Sequence, residues 1–471
     1  MKSCDLLARI SLFFGLAASL GCSFLIDSSV EQCSSDRDCA AVAGAICNVQ
    51  RKLCERLQPA PVRCARPNKP VVKIAVDVTR DQLLTCDNDY LLTDSVAVKP
   101  GVTLSIEAGT TVLAEPGLSA ILIVQPGARL VADGEPDRPI VFTSAAEPAA
   151  RRPADWGGLV LLGHATTNAA SPSLAAAPGS GGFGGGDDEE DSGVLRFVRI
   201  EYSGDTRPPN TELSGLTLAA IGRGTTIDHV EVRQTSHDCF GFVGGTVNAK
   251  HLVCQGSGDD GFVWKSGYRG KLQFLVVQQD PTTVDEANGF EADNENVAGN
   301  APLATQPTIY NATLCGKNRQ GDLEQYGILA RRRARAHIYN TMALGFEAGL
   351  DVRDAETTID LEGSLFWGNQ PKPIAYEEDG SNPTTQKDDD GGFDEVKWFL
   401  DPARHNAVRT PNLGDCFNRN TLALAPETAL QEGASAPPDD GFFDPGASYI
   451  GAFRDRDDHW AEGAWLLWSE Q

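Results

Sequence analysis

The chain has 471 residues, 41% of them hydrophobic, which is enough for one large domain and a small one. Asp and Glu number 65 against 40 Lys and Arg, and the formal net charge of −25 argues against a nucleic-acid partner, because phosphates must be neutralised by cations. With 48 Gly and only 2 Met, the composition favours turns and strands over long helices.

The N-terminus is predicted to be a targeting segment. The apolar run of residues 10–20 follows a short charged region and is too short to span a bilayer comfortably. It ends in Ser19-Leu20-Gly21-Cys22, which resembles the lipobox of bacterial lipoproteins, although that motif usually has Leu at the first position and a small residue at the second. The resemblance implies a signal peptide over 1–21, lipidation of Cys22, membrane contact through the lipid alone, and an outer-membrane or cell-surface location. A plain signal peptide with a periplasmic or secreted product is the alternative.

Ten further cysteines are consistent with export, since an even number in an exported chain indicates disulfides. The disulfide candidates are Cys33, Cys39, Cys47, Cys54, Cys64, Cys86, Cys239, Cys254, Cys315 and Cys416. No Cys-x-x-Cys pair supports a zinc site. Residues 22–57 contain four of these cysteines and are predicted to form a small disulfide-rich module, whose three possible connectivities stay open. Residues 58–72 are rich in Pro and predict a stiff linker.

From residue 73 onward, short β-branched runs alternate with Gly and Pro-Gly turns. Residues 98–104 nearly repeat as 124–130, a step of 26, and residues 237–242 align with 259–264, a step of 22. Gly289-Phe290-Glu291-Ala292 recurs as residues 345–348. Steps of this size predict a solenoid whose coils each take twenty-odd residues. A β-propeller blade needs about 40–45 residues, which is too long for these steps.

The predicted strands cover residues 96–106, 120–124, 139–143 and 156–163. The last of these is an unbroken hydrophobic stretch, which is typical of a strand covered on both sides. Two low-complexity segments, 165–193 and 370–391, contain acidic runs and predict long, solvated surface loops within a β-helix domain spanning residues 73–471.

Motifs from about residue 90 to the C-terminus resemble a family of secreted bacterial β-helix lipoproteins without an established activity. They are Asp155-Trp156-Gly157-Gly158-Leu159, Val198-Arg199-Ile200-Glu201-Tyr202, Leu213-Ser214-Gly215-Leu216, Gly244-Gly245-Thr246-Val247-Asn248, Gly267-Tyr268-Arg269-Gly270-Lys271, Asn288-Gly289-Phe290-Glu291-Ala292-Asp293-Asn294, Gly392-Phe393-Asp394-Glu395 and Tyr449-Ile450-Gly451-Ala452-Phe453. The resemblance implies an all-β fold, a right-handed parallel β-helix of the pectin-lyase-like type with long loop insertions, preceded by a small disulfide-rich module.

The two coils aligned by the 22-residue step carry the strongest candidate site. Asp238 and the aromatic residues after it are predicted to share a strand face with Asp260 one coil later, and His237 is predicted to lie beside Asp259. Carboxylates one strand apart in a partly buried site require a balancing cation or a raised pKa.

Three interpretations of this site are open. Calcium, the only cofactor that the sequence suggests, is bound by carboxylate clusters such as Asp238, Asp259 and Asp260. The same aspartates, with Lys265 or Arg269, are candidate catalytic residues, because a carboxyl group with a raised pKa is a general acid. In the third interpretation, the aspartates cap turns and accept backbone hydrogen bonds.

Two enzyme classes bear on the catalytic interpretation. Gly258-Asp259-Asp260-Gly261 resembles the Asp-Asp pair of polygalacturonase-type hydrolases, but the Gly-His-Gly and Arg-Ile-Lys motifs of those enzymes are missing from the sequence. β-Helix polysaccharide lyases use calcium with a Lys or Arg base, for which Lys250 is a further candidate.

Two functions are therefore expected as alternatives. The first is a surface-anchored β-helix scaffold that binds a polysaccharide or a cell-surface protein along its lateral face. The second is a calcium-assisted polysaccharide lyase or glycoside hydrolase with its site near residues 237–271. The basic cluster at residues 331–335 is expected to pair with acidic loops.

Overall fold

The structure is a computed structural model that describes residues 45–48, 53–56, 64, 68–117, 120–168, 174, 177, 180–204, 213–283, 287–294, 303–319, 325–376, 390–418, 420 and 423–468. The chain forms two compact units, residues 1–61 and 62–471. In the first unit, β1 (Ala45–Asn48) pairs antiparallel with β2 (Leu53–Arg56), so that Cys47 stands opposite Cys54. The predicted lipidation site Cys22 and the disulfide candidates Cys33 and Cys39 lie outside the described residues.

In the second unit, the first coils of the chain contain three short strands each. These strands are β3 (Val71–Ile74), β4 (Gln82–Leu84), β5 (Asp89–Leu92), β6 (Val96–Val98), β7 (Thr103–Ile106), β8 (Thr111–Ala114), β9 (Ile121–Val124), β10 (Arg129–Asp133), β11 (Ile140–Ser144) and β12 (Gly158–Leu162). A 3-10 turn at Pro148–Ala150 precedes β12.

The following coils alternate one long strand with one short strand. These strands are β13 (Gly193–Glu201), β14 (Leu216–Ala219), β15 (Thr226–Arg233), β16 (Phe240–Val243), β17 (Ala249–Gln255), β18 (Phe262–Lys265), β19 (Lys271–Gln278), β20 (Phe290–Ala292), β21 (Thr308–Cys315), β22 (Tyr326–Ala330), β23 (Arg335–Leu344) and β24 (Ala348–Val352). The last elements are β25 (Thr358–Glu362), β26 (Leu365–Trp367), helix α1 (Glu395–Phe399), a 3-10 turn at Pro402–Arg404 and β27 (Ala407–Val408).

These strands form two sheets along the length of the second unit. Sheet 2 consists of the short strands β6, β9, β12, β14, β16, β18, β20, β22 and β24, and sheet 1 contains the other strands of the unit. Every strand pair named in these two sheets is parallel, and strands of successive coils are neighbours. The long strands arise by merging, because β13 pairs with both β10 and β11. The predicted parallel β-helix is confirmed.

Two of the three sequence repeats correspond to strand register. Val98 pairs with Val124 and Phe240 with Phe262, which are the 26- and 22-residue steps. The third repeat does not: Phe290 pairs with Ile328, which pairs with Leu350, so residues 345–348 are not the structural equivalent of 289–292. The predicted strand 96–106 is two strands, because the chain turns at Gly101, whose φ of 77° is left-handed.

Each long strand bends sharply at one residue with a left-handed backbone. We call this row the bend ladder, and its members are Phe197, His229, His251, Phe274, Asn311 and Asn340, with φ between 49° and 62°. The flanking register, with Asp228 opposite Lys250 and Val230 opposite Leu252, places these residues on adjacent coils. Non-glycine residues rarely adopt this conformation, so the stacked contacts along the ladder must hold it in place.

The outer face of sheet 1 is covered by the end of the chain. We call residues 423–468 the C-terminal cover. Ile450 and Trp465 of this cover form one apolar cluster with Val253, Val276 and Met342, which point outward from three long strands. The Cys315–Cys416 disulfide ties the segment before the cover to β21.

The outer face of sheet 2 is covered near its N-terminal coils by the insertion that follows β12. Phe183 and Ala177 of this insertion pack on Val160 and Leu162. Its acidic run is not simply solvated as expected: the carboxylate of Asp188 accepts a hydrogen bond from the backbone N–H of Thr166 at 2.9 Å, and its carbonyl accepts one from the Thr246 hydroxyl at 2.7 Å. The run thus fastens the turns of successive coils together.

Three disulfides lie in the second unit: Cys64–Cys86, Cys239–Cys254 and Cys315–Cys416. All six candidate cysteines of the second unit are therefore paired. Within the part of the chain that the structure describes, no helix is both long enough and apolar enough to cross a membrane.

Candidate functional site on the outer face of sheet 2

The predicted aspartates belong to a row of polar side chains at the corners that lead into sheet 2. The Ser214 hydroxyl donates to Asp238 Oδ2 at 3.2 Å, and Asp238 Oδ1 accepts the backbone N–H of Asp260 at 3.2 Å. Asp260 Oδ1 accepts both the backbone N–H and the side-chain amide of Asn288, at 2.8 and 2.9 Å. Asn288 Oδ1 in turn accepts the backbone N–H of Tyr326 at 2.9 Å. Each carboxylate thus satisfies backbone groups of the next coil.

His237 joins the two aspartate-bearing corners. Its Nδ1 lies 3.1 Å from Asp238 Oδ2 and its Nε2 lies 3.2 Å from Asp259 Oδ2. One nitrogen or oxygen from each of these three residues comes within 4.8 Å of the others. The structure therefore brings together Asp238, Asp259 and Asp260, with His237 beside Asp259, as the 22-residue step predicts.

The predicted sharing of one strand face is wrong. Phe240 and Phe242 point into the core of the β-helix, and so does the preceding Cys239. Two consecutive core residues break the alternation of a strand. Asp238 consequently lies at the corner, where it meets polar groups rather than the aromatic rings.

Charged side chains continue from these corners along the outer face of sheet 2. We call this row the charged strip; it consists of Lys265, Glu291, Asp293, Arg331, Asp351 and Arg353. Arg331 binds Glu291 Oε1 through Nη2 at 2.8 Å and Asp293 Oδ2 through Nε at 3.0 Å, while Arg332 adds a contact to Asp293 at 2.6 Å. One coil further, Arg353 Nε binds Asp351 Oδ2 at 2.8 Å.

The carboxyl groups of this region cannot all ionise freely. Burial, together with the charges of Asp259, Glu291 and Asp238, raises the pKa of Asp260 well above its ordinary value. Burial also raises the pKa of Glu291, although Arg331 opposes this. For Asp238, burial is outweighed by the charge and hydrogen bond of His237, and its pKa is lowered. Asp260 therefore holds a proton more readily than Asp238 does.

Two of the basic candidates are placed elsewhere. Arg269 Nη2 contacts Asp188 Oδ2 at 3.3 Å in the acidic run of the insertion. Lys250 lies on the outer face of sheet 1, with its ammonium 4.8 Å from the ring centre of Phe442. Lys265 is on the same sheet as the aspartates, and its charge lowers the pKa of Asp238. Of these three basic candidates, Lys265 is thus the one that lies near the aspartates.

Glu291, Asp293 and Arg331 were missed as site residues. The basic cluster at 331–335 was expected to pair with acidic loops, but Arg331 and Arg332 pair with carboxylates of sheet 2. The signal was present in the sequence as charged residues alternating with core residues, since Phe290 and Ala292 flank Glu291 and both lie in the core.

No curated protein and no solved structure matches the chain significantly. Residues 76–377 match the family model of the pectate-lyase-like β-helix domain. This match covers more than half of the chain and all the strands from β4 to β26. The protein belongs to the family of pectate-lyase-like β-helix domains.

Proposed function

We propose that the protein is an exported β-helix scaffold, anchored by a lipid on Cys22 at the outer membrane or cell surface, which binds a polysaccharide along the charged strip. The Cys239–Cys254 and Cys315–Cys416 disulfides support export, because such bonds persist in oxidising compartments. The lipobox-like sequence before Cys22 supports the anchor.

The observation that carries this proposal is the charged strip itself. Charged residues recur at Lys265, Asp293, Arg331 and Arg353, at or just after the C-terminal ends of four successive strands of sheet 2 spaced about 4.8 Å apart. A row in which cationic groups stand beside carboxylates suits an extended polymer that carries hydroxyl and carboxylate groups. Where apolar outward residues line this sheet, at Val160 and Leu162, an insertion covers them.

A structural role fits Asp238 and Asp260 better than catalysis does. Asp238 accepts hydrogen bonds from Ser214 and from the backbone of Asp260, and Asp260 accepts two from Asn288. These hydrogen bonds connect three successive coils, so the two carboxylates already stabilise the fold. A substrate would have to displace those contacts in order to use both groups.

Binding is tested by co-sedimentation or pull-down with a panel of neutral and uronate-containing polysaccharides. Arg332 contacts Asp293 from the edge of the strip and is 38% exposed, so Arg332→Ala should weaken binding. Arg333→Ala is the matched control, because that neighbouring arginine contacts Glu356 instead. Equal binding by both variants, or no binding of any polymer by the unmodified chain, would reject the strip as the binding surface.

The anchor is tested separately. Cys22→Ala should release the protein from the membrane fraction of a bacterial host while leaving the β-helix folded. Labelling of intact cells should reach the unmodified protein. Failure to label it would contradict a cell-surface location.

One observation favours a second candidate, a polysaccharide lyase or glycoside hydrolase. Burial and neighbouring carboxylates raise the pKa of Asp260 and of Glu291, which is the direction of shift that a general acid needs. In this function Lys265 is the candidate base, and calcium has Asp238 and Asp259 as its carboxylate ligands.

The enzyme hypothesis is tested on the same polymer panel with calcium or with chelator. New reducing ends indicate hydrolysis, and absorbance of an unsaturated product indicates elimination. Turnover that vanishes in the Asp259→Ala, Asp260→Ala double variant, with circular dichroism unchanged, would establish an enzyme with its site here. Turnover that persists in the folded double variant would place the chemistry elsewhere.

A further inference from the structure

A histidine pair lies on the opposite side of the coils from the charged strip. His229 and His251 are neighbours in the bend ladder, and their rings stack with centroids 4.2 Å apart and an interplanar angle of 28°. Asp228 precedes His229 in β15. Its Oδ1 lies 2.7 Å from His251 Nδ1 and 2.9 Å from His229 Nδ1.

We propose that Asp228, His229 and His251 form a binding site for one transition-metal ion of the zinc type. The ligand atoms are the two Nδ1 atoms and the carboxylate Oδ1, which all lie within 4.8 Å of one another. Two imidazoles with one carboxylate form a common three-residue set for Zn²⁺, and solvent completes the tetrahedron in such sites.

The hydrogen bonding leaves one ligand atom unexplained. His251 Nδ1 and Asp228 Oδ1 form a hydrogen bond. His229 Nδ1 is buried and has no hydrogen-bond partner among the described residues, since its contact with Asp228 does not have the direction of a hydrogen bond. A buried ring nitrogen without a partner is costly, and a cation bound between the three atoms satisfies it.

The charges around the site leave the carboxylate available. Arg196 and Lys250 flank Asp228 in the strand register. Arg196 is engaged with both oxygens of Asp133, at 2.7 Å each, and Lys250 lies over the Phe442 ring. Asp228 therefore directs its Oδ1 to the histidines.

The site is also open to an ion from solvent. The Asp228 side chain is 32% exposed, which gives an ion a route from solvent and an open position for water.

The ladder supplies matched variants for the test. Phe197 and Phe274 occupy the same position on the adjacent coils with φ of 49° and 62°, so phenylalanine is tolerated in this backbone. They stack on the histidines at 4.5 and 4.9 Å. His229→Phe and His251→Phe therefore remove a ligand atom while keeping the stack.

Two tryptophans of the C-terminal cover report on the site. Trp465 lies 5.2 Å from the His229 ring and Trp460 lies 5.0 Å from the His251 ring. Paramagnetic Ni²⁺ bound between the histidines should quench their fluorescence, and Zn²⁺ should compete and restore it.

The experiment titrates the whole metal-free chain with Zn²⁺ by calorimetry and with Ni²⁺ by tryptophan fluorescence. The expected result is one Zn²⁺ per chain and Ni²⁺ quenching, both weakened by roughly tenfold or more in His229→Phe and in His251→Phe. His337→Phe is the control and should bind as the unmodified chain does, because His337 has one carboxylate partner, Asp360, and Gln306 at its other nitrogen. Absence of binding to the unmodified chain, or undiminished binding in both ladder variants, would overturn the proposal.

Discussion

In both sheets, inward and outward side chains alternate along each strand, but the outward residues of the two sheets differ in polarity. On sheet 1, outward residues such as Val253, Val276 and Met342 are apolar, and the C-terminal cover buries them. On the middle coils of sheet 2, the outward residues include charged side chains that pair with one another, as Arg331 does with Glu291. The inward residues are the same kind of apolar core in both sheets.

This difference distinguishes a face that stabilises the fold, on sheet 1, from a face that can bind a ligand, on sheet 2. An apolar outer row needs a cover, since exposed apolar surface of that size invites association. A row of paired charges satisfies its own polar groups. Its carboxylates Glu291, Asp293 and Asp351 are buried, while Lys265, Arg331 and Arg332 stay partly exposed and can meet a polymer. The C-terminal cover is thus a structural element, while the charged strip is the surface to test for binding.

Removing the largest buried side chain of the C-terminal cover should have the largest effect on the free energy of unfolding. Trp465 is fully buried and packs on Phe197 and His229. Trp465→Ala should lower the free energy of unfolding by about 3–5 kcal/mol, because a large cavity forms between cover and sheet. Trp367→Ala, at a position 42% exposed, is the control and should cost about 0.5–1 kcal/mol in the same urea titration. Equal losses would mean that the cover is not integral to the fold.

Breaking the central ion pair of the charged strip should be the next largest effect. Arg331→Ala leaves Glu291 buried without its cation and should destabilise the protein by about 3 kcal/mol. Arg333→Ala removes an exposed pair with Glu356 and should cost about 0–1 kcal/mol. Thermal unfolding of the two variants checks the contrast, and a similar small loss in both would show that the strip is solvated throughout.

Much of this architecture could be predicted because turn residues recur in the sequence once per coil and so reveal the length of each coil. Pro-Gly turns at 100–101 and 126–127 place Val98 beside Val124, so register follows from spacing. The site aspartates followed for the same reason, since no insertion separates residues 238 and 260. Constant spacing is what allows a sequence to reveal which residues are stacked.

The missed residues lie where spacing is irregular. Phe290 is 28 residues beyond Phe262, and Ile328 is 38 residues beyond Phe290. Insertions of unequal length leave the corners, so the partner of Glu291 could not be found by counting. The histidine pair was missed for a different reason: the left-handed bend that stacks His229 on His251 is rare for non-glycine residues and has no strong sequence signal.

The pH dependence of stability offers a smaller test of the sheet 1 face. Burial raises the pKa of Glu231 to about 7, against the opposing charges of Arg233 and Arg199, and its oxygens accept the backbone N–H of Leu467 from the cover. The folded state therefore holds this proton more tightly than the unfolded state, whose carboxyl titrates near 4.5. Stability should fall by about 2–3 kcal/mol as pH rises from about 4.5 to about 7.

Glu231→Gln should remove that fall, because glutamine stays neutral throughout the range. Glu462→Gln, at an exposed position of the cover, is the control and should keep it. Urea titrations at pH 4.5, 6 and 7.5 measure the difference. An unchanged pH profile in Glu231→Gln would mean that Glu231 is already ionised beneath the cover.

The smallest expected effect is the pH dependence of stability in variants of Asp260 and Asp238, and it helps to distinguish a scaffold from an enzyme. Asp260 has a raised pKa, so its stabilising proton is lost as pH rises; Asp238 has a lowered pKa, so its stabilising charge is lost as pH falls. Asp260→Asn keeps the oxygen that accepts from Asn288 and should change stability by about 1 kcal/mol or less at pH 5, with a relative gain at pH 8. Asp238→Asn should lower stability at both pH values, because the charge that binds His237 is present throughout this range and is lost only as pH falls below the ordinary carboxyl pKa of 3.8. If the effect of Asp260→Asn on stability were instead the same at pH 5 and at pH 8, Asp260 would be an ionised carboxylate throughout this range. The general-acid argument for an enzyme would then fail, and the binding role of the strip would stand alone.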